Sequence, residues 1–463
     1  MLSNTASVNY SVFWENKLLK MVREKLICFL LFVSFTSLSG FTQSVNKAPL
    51  DSLFNLLDKQ GSIMGSMAFA KKGNIIYTNA LGYSIYNNNE KIHATEKTKY
   101  RIGSISKTFT STIIFELIEE GKLSLTTSLE KFFPEFPNAH LITVNNLLNH
   151  SSGIPNFTKI NSKERPRSHD EMLKFISSKR YHFISPNTTT SYSNANFLIL
   201  GYIIEKVCNK PFGEVLKDRI VSKISLTDTY YSTEQKNSKD ESFPYIFETS
   251  WIQQPKTDVS IPGASGGIIS TPGDLTKFIE ALFSGRLISK NSLNKMKTIT
   301  ANHGMGMMEF EFHTKKAFGQ VGAIDEFQSV VAYFPSDSLA IAFCSNGRVG
   351  NTRDIVLEVL NIYFDEKYEN PDFRLLSTHS KAKGLLKYTG IYSNRAIPLR
   401  IIISAHNQEL VAQPIGQKSY TLNAIASNKF KCDALGAIIE FNRDSNEFIL
   451  YQGDMRYNFI KEH

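Results

Sequence analysis

Four cysteines, Cys28, Cys208, Cys344 and Cys432, are spread over 463 residues. That number and spacing offer neither a disulfide framework nor a paired-cysteine zinc motif. Cys344 lies in the apolar run Leu339–Cys344, where a thiol packs as a small hydrophobe. The chain also lacks HExxH, a P-loop and the Rossmann glycine pattern, and its ten histidines are dispersed. No metal and no cofactor are therefore expected. Although the formal net charge is +9, there is no long block of lysine or arginine. Interspersed charges of both signs read as a solvated surface, not as a nucleic-acid footprint. No helical repeat period is visible in the chain.

What the chain does have is core material. Hydrophobic residues make up 42 % of it, including 33 Phe and 19 Tyr, enough to bury more than one core at this length. Near the N-terminus, Met21-Val-Arg-Glu-Lys25 precedes the apolar run Leu26–Phe35 and a small, polar stretch at 36–44. A secretory signal uses an apolar segment of about 7–15 residues, whereas a membrane span needs about 20. Residues 21–43 thus read as an export signal with Met21 as the start. This predicts a periplasmic or extracellular protein, with an uncleaved anchor as the lesser alternative. Membrane contact would be confined to that segment.

Helical periodicity is visible over 50–60, 104–121, 194–208 and 354–364. Thr271-Pro-Gly-Asp274 supplies a helix start with an N-cap, a proline in the first turn and an acid at the third helical position. Residues 66–71, 74–82, 327–334 and 339–345 read as strands. Residues 363–383 are polar and linker-like. From residue 384 to 463 short β-type runs follow, at 399–403, 409–413, 437–441, 448–451 and 457–460, separated by Asn, Asp and Gly turns. They predict a small all-β domain.

Ser104 and Lys107 share one face at the start of the 104–121 helix, so an amine can reach a hydroxyl. A buried amine near a helix N-terminus loses its proton more readily, which suits activation of a serine nucleophile. Spacing alone decides nothing. SxxK occurs five times, from Ser44, Ser104, Ser128, Ser292 and Ser380, and YxN five times, from Tyr77, Tyr86, Tyr192, Tyr368 and Tyr392. Context selects Ser104, with glycine before it and an apolar helix after it, and Tyr192-Ser-Asn194, between a polar loop and an apolar helix. Gly263-Ala-Ser-Gly-Gly267 matches the G-x-S-x-G elbow, but 268–270 intervene before the next helix, which disfavours Ser265 as nucleophile.

Five segments in order, Gly103-Ser-Ile-Ser-Lys107, Leu147-Leu-Asn-His-Ser-Ser-Gly-Ile-Pro155, Tyr192-Ser-Asn194, Ala264-Ser-Gly-Gly-Ile-Ile-Ser-Thr271 and Gly319-Gln-Val-Gly-Ala323, resemble the landmarks of the serine β-lactamase/penicillin-binding-protein superfamily. The class C β-lactamase-related serine hydrolases are the nearest branch, over residues 48–362. The resemblance implies an α+β, β-lactamase/transpeptidase-like fold, with an antiparallel sheet flanked by helices and a helical subdomain. It implies Ser104 as the acylated nucleophile, Lys107 as its proton path, and Tyr192 as general base, its phenolate stabilised by Lys107. Asn194 would hold the substrate carbonyl and Lys107, and the N–H groups of Ser104 and Ala323 would form an oxyanion hole. His150 reads as a structural loop histidine. The opening of the last domain, Leu385–Tyr392, is similar to lipocalin-like modules that follow such hydrolases.

One landmark departs from the pattern. Gln320-Val-Gly322 replaces a triplet that usually begins with lysine or histidine, so a cation is lost where a substrate carboxylate would lie. Asp325 and Glu326 follow, and two carboxylates near the pocket are expected to disfavour anionic substrates. The reading is an exported serine hydrolase acting through a Ser104 acyl-enzyme on an amide or ester: a β-lactam, a D-amino-acid peptide or a carboxylic ester. The expected partner is a small-molecule or peptide substrate, cell-wall peptide included. The alternative is a catalytically weak or inactive penicillin-fold protein that binds cell-envelope components.

Overall fold

The computed structural model describes residues 46–366 and 385–462, apart from 62, 157–167, 179–183, 232–239, 248–249, 301–302, 349–351, 395–398, 407–408, 416–418, 427, 443–445 and 454. The expected export signal at 21–43 and most of the expected linker lie outside the described residues. Among those described, no helix is long and apolar enough to cross a membrane.

An antiparallel sheet runs in the order Met308–Phe312, Lys315–Ile324, Phe327–Phe334, Leu339–Arg348, Ile63–Lys71 and Asn74–Leu81. The first and last strands of the 48–362 segment thus pair within the sheet, with Ala68 opposite Ala342. Both central strands are buried almost throughout, because each face carries helices. Phe69 stacks on Tyr363 of the helix Thr352–Phe364 at 5.2 Å, while the next residue, Ala70, points into the main core. Helix Pro272–Phe283 packs across the strands at 63–71, 327–334 and 339–348. It begins as its sequence specifies: Thr271 Oγ1 accepts from the Asp274 N–H, and Pro272 occupies the first turn. Its Phe278 stacks on Phe109, joining the sheet layer to the helix Ser106–Glu119.

That helix is buried along most of its length, its Ser, Thr and Lys side chains included. Helix Asn194–Cys208 packs beside it and is equally buried. Two boundaries differ from the sequence expectation. The 104–121 helix starts with a 3₁₀ turn at Gly103–Ile105, and regular α-helix begins at Ser106. Helix Thr352–Phe364 continues past residue 363, where the linker was expected to begin.

The C-terminal segment is a closed eight-stranded barrel with strands Gly390–Ser393, Arg400–His406, Glu409–Pro414, Tyr420–Ala424, Lys429–Cys432, Ala437–Phe441, Glu447–Gln452 and Met455–Lys461. The first and last strands pair, with Tyr392 opposite Lys461, so no edge is left open. Alternate residues such as Ile403, Leu422, Phe430, Ile439, Phe441 and Phe459 fill its interior. The strands at 390–393, 420–424 and 429–432 were not expected as strands. Cys208, Cys344 and Cys432 are free thiols, so the described residues contain no disulfide.

Candidate active site

The 3₁₀ turn at Gly103–Ile105 exposes Ser104 to groups from three other parts of the chain. Ser104 Oγ lies 2.7 Å from the Tyr192 hydroxyl and 3.0 Å from Lys107 Nζ. Lys107 also donates to Asn194 Oδ1 and to the backbone oxygen of Ser265, each at 2.8 Å. Its side chain is wholly buried, with Nζ 5.1 Å from the Tyr192 ring centre and 5.7 Å from that of Phe197. Burial pushes the Lys107 ammonium well below its ordinary range. Nζ donates to all three oxygens in this geometry; once deprotonated it would keep two N–H groups for the carbonyl oxygens and turn its lone pair to Ser104.

Tyr192 is shifted the other way. Burial raises its phenol, and the hydrogen bond from Ser104 only partly offsets this. The two shifts run in opposite directions, Lys107 down and Tyr192 up, and both work against a Tyr192 phenolate beside a Lys107 cation.

His150 fixes the Tyr192 segment. Its backbone oxygen accepts from the Ser191 N–H and its Nδ1 from the Ser193 N–H at 3.2 Å, one bond on each side of Tyr192. The His150 and Tyr192 rings are 4.7 Å apart. Burial, then Lys107 and His303, hold His150 down to about 3, so it stays neutral and Nδ1 remains an acceptor. Asn194, next along, takes its own N–H to Asn156 Oδ1. His150 is thus structural, as the sequence implied, with Tyr192 as what it positions.

Glycines press the strand Lys315–Ile324 against the nucleophile turn. Gly103 has φ +50°, and a Cβ there would meet the Ala323 nitrogen at 2.8 Å. A Cβ on Gly322 would meet the Ile102 oxygen at 1.9 Å. Ser329, opposite Gly322, donates to the same oxygen at 2.9 Å. The backbone at Ala323 consequently lies against the turn that carries Ser104.

Gln320 is not drawn into this cluster. It is buried on the strand face shared with Gly322, and its side-chain oxygen accepts from the Val321 N–H. Val321 and Ala323 occupy the open face. Asp325 corrects a further expectation. It accepts from Arg101 at 2.8 Å and from the Thr257 N–H and hydroxyl at 2.9 and 2.5 Å. Its charge is balanced and occupied, so it is not a second free carboxylate at the pocket; Glu326 alone is exposed.

Sequence reasoning missed two contributors. Ser265 acts through its backbone oxygen, which no side-chain pattern reveals; its own hydroxyl donates to the Pro262 oxygen. His303 lies 5.4 Å from the rings of both Tyr192 and His150, with its own basicity lowered by burial. The available signal was Gly304 and Gly306 after it: Gly306 has φ +76° and its oxygen accepts from Thr108, laying that turn on the nucleophile helix. The described residues contain no group of three or more His, Cys, Asp or Glu able to hold a metal.

The beta-lactamase family matches residues 50–362 of this chain. The protein belongs to that family. It is 26 % identical over 314 residues to the putative penicillin-binding protein PbpX of Bacillus subtilis, covering 65 % of this chain and 76 % of that protein. The fold is shared with D-amino acid amidase from Ochrobactrum anthropi SV3, at TM-score 0.60 and 23 % identity over 68 % of this chain and 99 % of that one. The octameric penicillin-binding protein homologue from Pyrococcus abyssi aligns over 90 % of this chain and 100 % of its own, at TM-score 0.62 and 23 % identity. Its alignment therefore extends beyond the 313-residue family match into the C-terminal part of the chain.

Two tests follow from the packing. Gly322→Ala forces the strand off Ile102, and acylation of Ser104 should fall by about 100-fold, the scale of losing one oxyanion donor. The fold should lose only about 1–3 kcal/mol. Stopped-flow acylation and urea unfolding separate the two effects. His150 is depressed in the fold relative to an unfolded histidine at about 6.5. The unfolded chain therefore binds more protons between about 6.5 and 3, and stability falls as pH drops through that window. Unfolding free energies at pH 7, 6, 5 and 4 should decline by about 1 kcal/mol per unit more steeply in the wild type than in His150→Asn. Parallel slopes would remove His150 from the account.

Proposed function

We propose that the protein hydrolyses amides or esters through an acyl-enzyme on Ser104. The observation that carries this reading is the contact of Ser104 Oγ with both the Tyr192 hydroxyl and a buried Lys107 whose other two contacts are carbonyl oxygens. In the first step Lys107 takes the hydroxyl proton while Oγ bonds to the substrate carbonyl carbon. The N–H groups of Ser104 and Ala323 receive the developing oxyanion. Tyr192 then gives its proton to the departing amine or alkoxide, and transfer from Lys107 to Tyr192 restores the neutral pair. Water enters on the leaving-group side and repeats the exchange in reverse, releasing the acid and Ser104.

Among substrates, this reading favours acyl groups without a carboxylate beside the reacting carbonyl. Gln320 supplies no cation, and Arg101 is already engaged by Asp325. Neutral D-amino-acid amides and simple esters fit better than penicillins or D-Ala-terminated peptides. The similarity to a D-amino acid amidase points the same way. Action outside the cytoplasm belongs to the same proposal and rests on the export-type sequence at 21–43.

A fluorophosphonate probe should label the wild type at one site and leave Ser104→Ala unlabelled, read by intact mass. Lys107→Met should slow labelling by about 100-fold or more, because the base is gone. In the wild type the rate should fall as pH drops through the depressed amine's titration, at a lower pH than an ordinary lysine would give. Labelling of Ser104→Ala at the wild-type rate would defeat the proposal. For specificity, Gln320→His should raise acylation by a fluorescent penicillin about threefold to tenfold. An unchanged rate would show that the lost cation does not set the preference.

A further inference from the structure

His303 stands beside the reacting groups and is engaged by none of them. Its ring lies 5.4 Å from the rings of Tyr192 and His150, tilted 41° to the first and nearly edge-on, at 67°, to the second. Neither ring nitrogen has a hydrogen-bond partner among the described residues, and the side chain is partly exposed. Its backbone, by contrast, is fixed. The His303 N–H and oxygen both bond to Thr300, at 3.1 and 2.9 Å. Two residues on, Met305 donates to the Met296 oxygen, and the Gly306 oxygen accepts from Thr108. A Cβ on Gly306 would meet Ser111 Oγ at 2.3 Å and the Lys107 oxygen at 2.7 Å, so the turn is pressed onto the nucleophile helix. The imidazole is thus held on a bonded turn with two nitrogens to offer a ligand.

What it can offer follows from its surroundings. The ionisable groups facing it are Tyr192, His150 and, beyond them, Lys107, whose Nζ is 5.1 Å from the Tyr192 ring centre. Lys297, next to the helix Lys290–Met296 to which this turn bonds, sits instead over the rings of Phe283 and Phe318. No carboxylate pairs with His303 among the described residues. Burial lowers its proton affinity, so it is uncharged at neutral pH and becomes a cation only as pH falls below the ordinary histidine value of about 6.5. Gln320 carries no charge and Arg101 is taken by Asp325, so a protonated His303 supplies what the site otherwise lacks.

We propose that His303, when protonated, binds a carboxylate carried on the leaving group of the substrate, a role that rests on the proposed Ser104 acyl-enzyme. The leaving group is the part addressed, because His303 lies against the ring of Tyr192, the residue that gives that group its proton. The bond between imidazolium and carboxylate is charge-assisted, and the bound carboxylate in turn holds the proton on His303. Substrate preference then depends on pH. Neutral leaving groups are favoured at neutral pH, and carboxylate-bearing ones gain as the solution becomes acid.

The test compares 3-carboxyphenyl phenylacetate with 3-carbamoylphenyl phenylacetate on the full chain from pH 8 to pH 5. The quantity read is kcat/KM for phenol release, corrected for Ser104→Ala and expressed as the ratio of the charged to the neutral ester. Taking the ratio removes the titration of Lys107, which acts on both esters alike. In the wild type the ratio should rise about threefold to tenfold toward pH 5, the scale of one partly exposed charge-assisted hydrogen bond. It should stay flat in His303→Gln. In His303→Arg, whose cation persists throughout, it should already be high at pH 8. Melting temperatures and fluorophosphonate labelling of Ser104 verify that both variants fold. A flat ratio in the wild type, or an undiminished rise in His303→Gln, would overturn the proposal and leave the acyl-enzyme standing. Release from neither ester above the Ser104→Ala level would instead remove the acyl-enzyme, and this role of His303 with it.

Discussion

The site rests on keeping one lysine dry. Lys107 has no exposed surface, and an ammonium there would lose its hydration with no carboxylate in contact to compensate. Burial is therefore what lowers its proton affinity, and the two carbonyl oxygens fix where Nζ sits beside Ser104. Those oxygens come from residues 87 and 158 positions further along the chain. The nucleophile, the helix at 194 and the turn at 265 must all be in place before the amine is either satisfied or useful. The site and the fold share one constraint, so loosening any of these segments would admit water to Lys107 and relax the downward shift that burial imposes.

Packing holds those segments at the required separation. Thr110 donates to the Ala264 oxygen at 2.7 Å and Ser106 accepts from the Ile268 N–H at 3.1 Å, so the turn carrying Ser265 is bonded to the nucleophile helix on both sides of that residue. Gly103, Gly306 and Gly322 let other backbone approach where any Cβ would collide. Hydroxyl-to-backbone bonds and missing side chains together fix positions to within fractions of an ångström, which is the tolerance acyl transfer needs.

The legible part of this arrangement was the part written in side chains at short spacing. Ser104 with Lys107, and Tyr192 with Asn194, could be placed because each pair sits at a helix start, and Thr271 to Asp274 could be read as a cap for the same reason. Ser265 was visible only as part of a glycine-bearing segment, because its contribution is a backbone oxygen. The state of Asp325 could not be read either. Its partner Arg101 is 224 residues away, and sequence order carries no information about that pairing. In the barrel, the strand at 437–441 alternates cleanly over five residues, whereas 420–424 breaks the pattern with polar residues and 429–432 alternates over only four. Those two become strands through their neighbours' registers and through closure of the ring.

Charge balance ties the site to its proposed substrates. Around Ser104, burial pushes Lys107 down, raises the Tyr192 phenol and holds His150 uncharged, and the strand beside them carries Gln320 in place of a cation. Arg101, close by through the turn, has spent its charge on Asp325. A substrate carboxylate brought to this cluster would give up hydration and find no free cation in return, a loss of several kcal/mol even with partial solvent access. A neutral acyl group loses little on entry, and the charge it develops during acyl transfer falls on the oxygen that backbone N–H groups can receive. On the proposed reading, the absent cation at Gln320 bears mainly on ground-state selection, while the contacts among Ser104, Lys107 and Tyr192 are kept. That division would let the same site disfavour penicillins and still form the proposed acyl-enzyme.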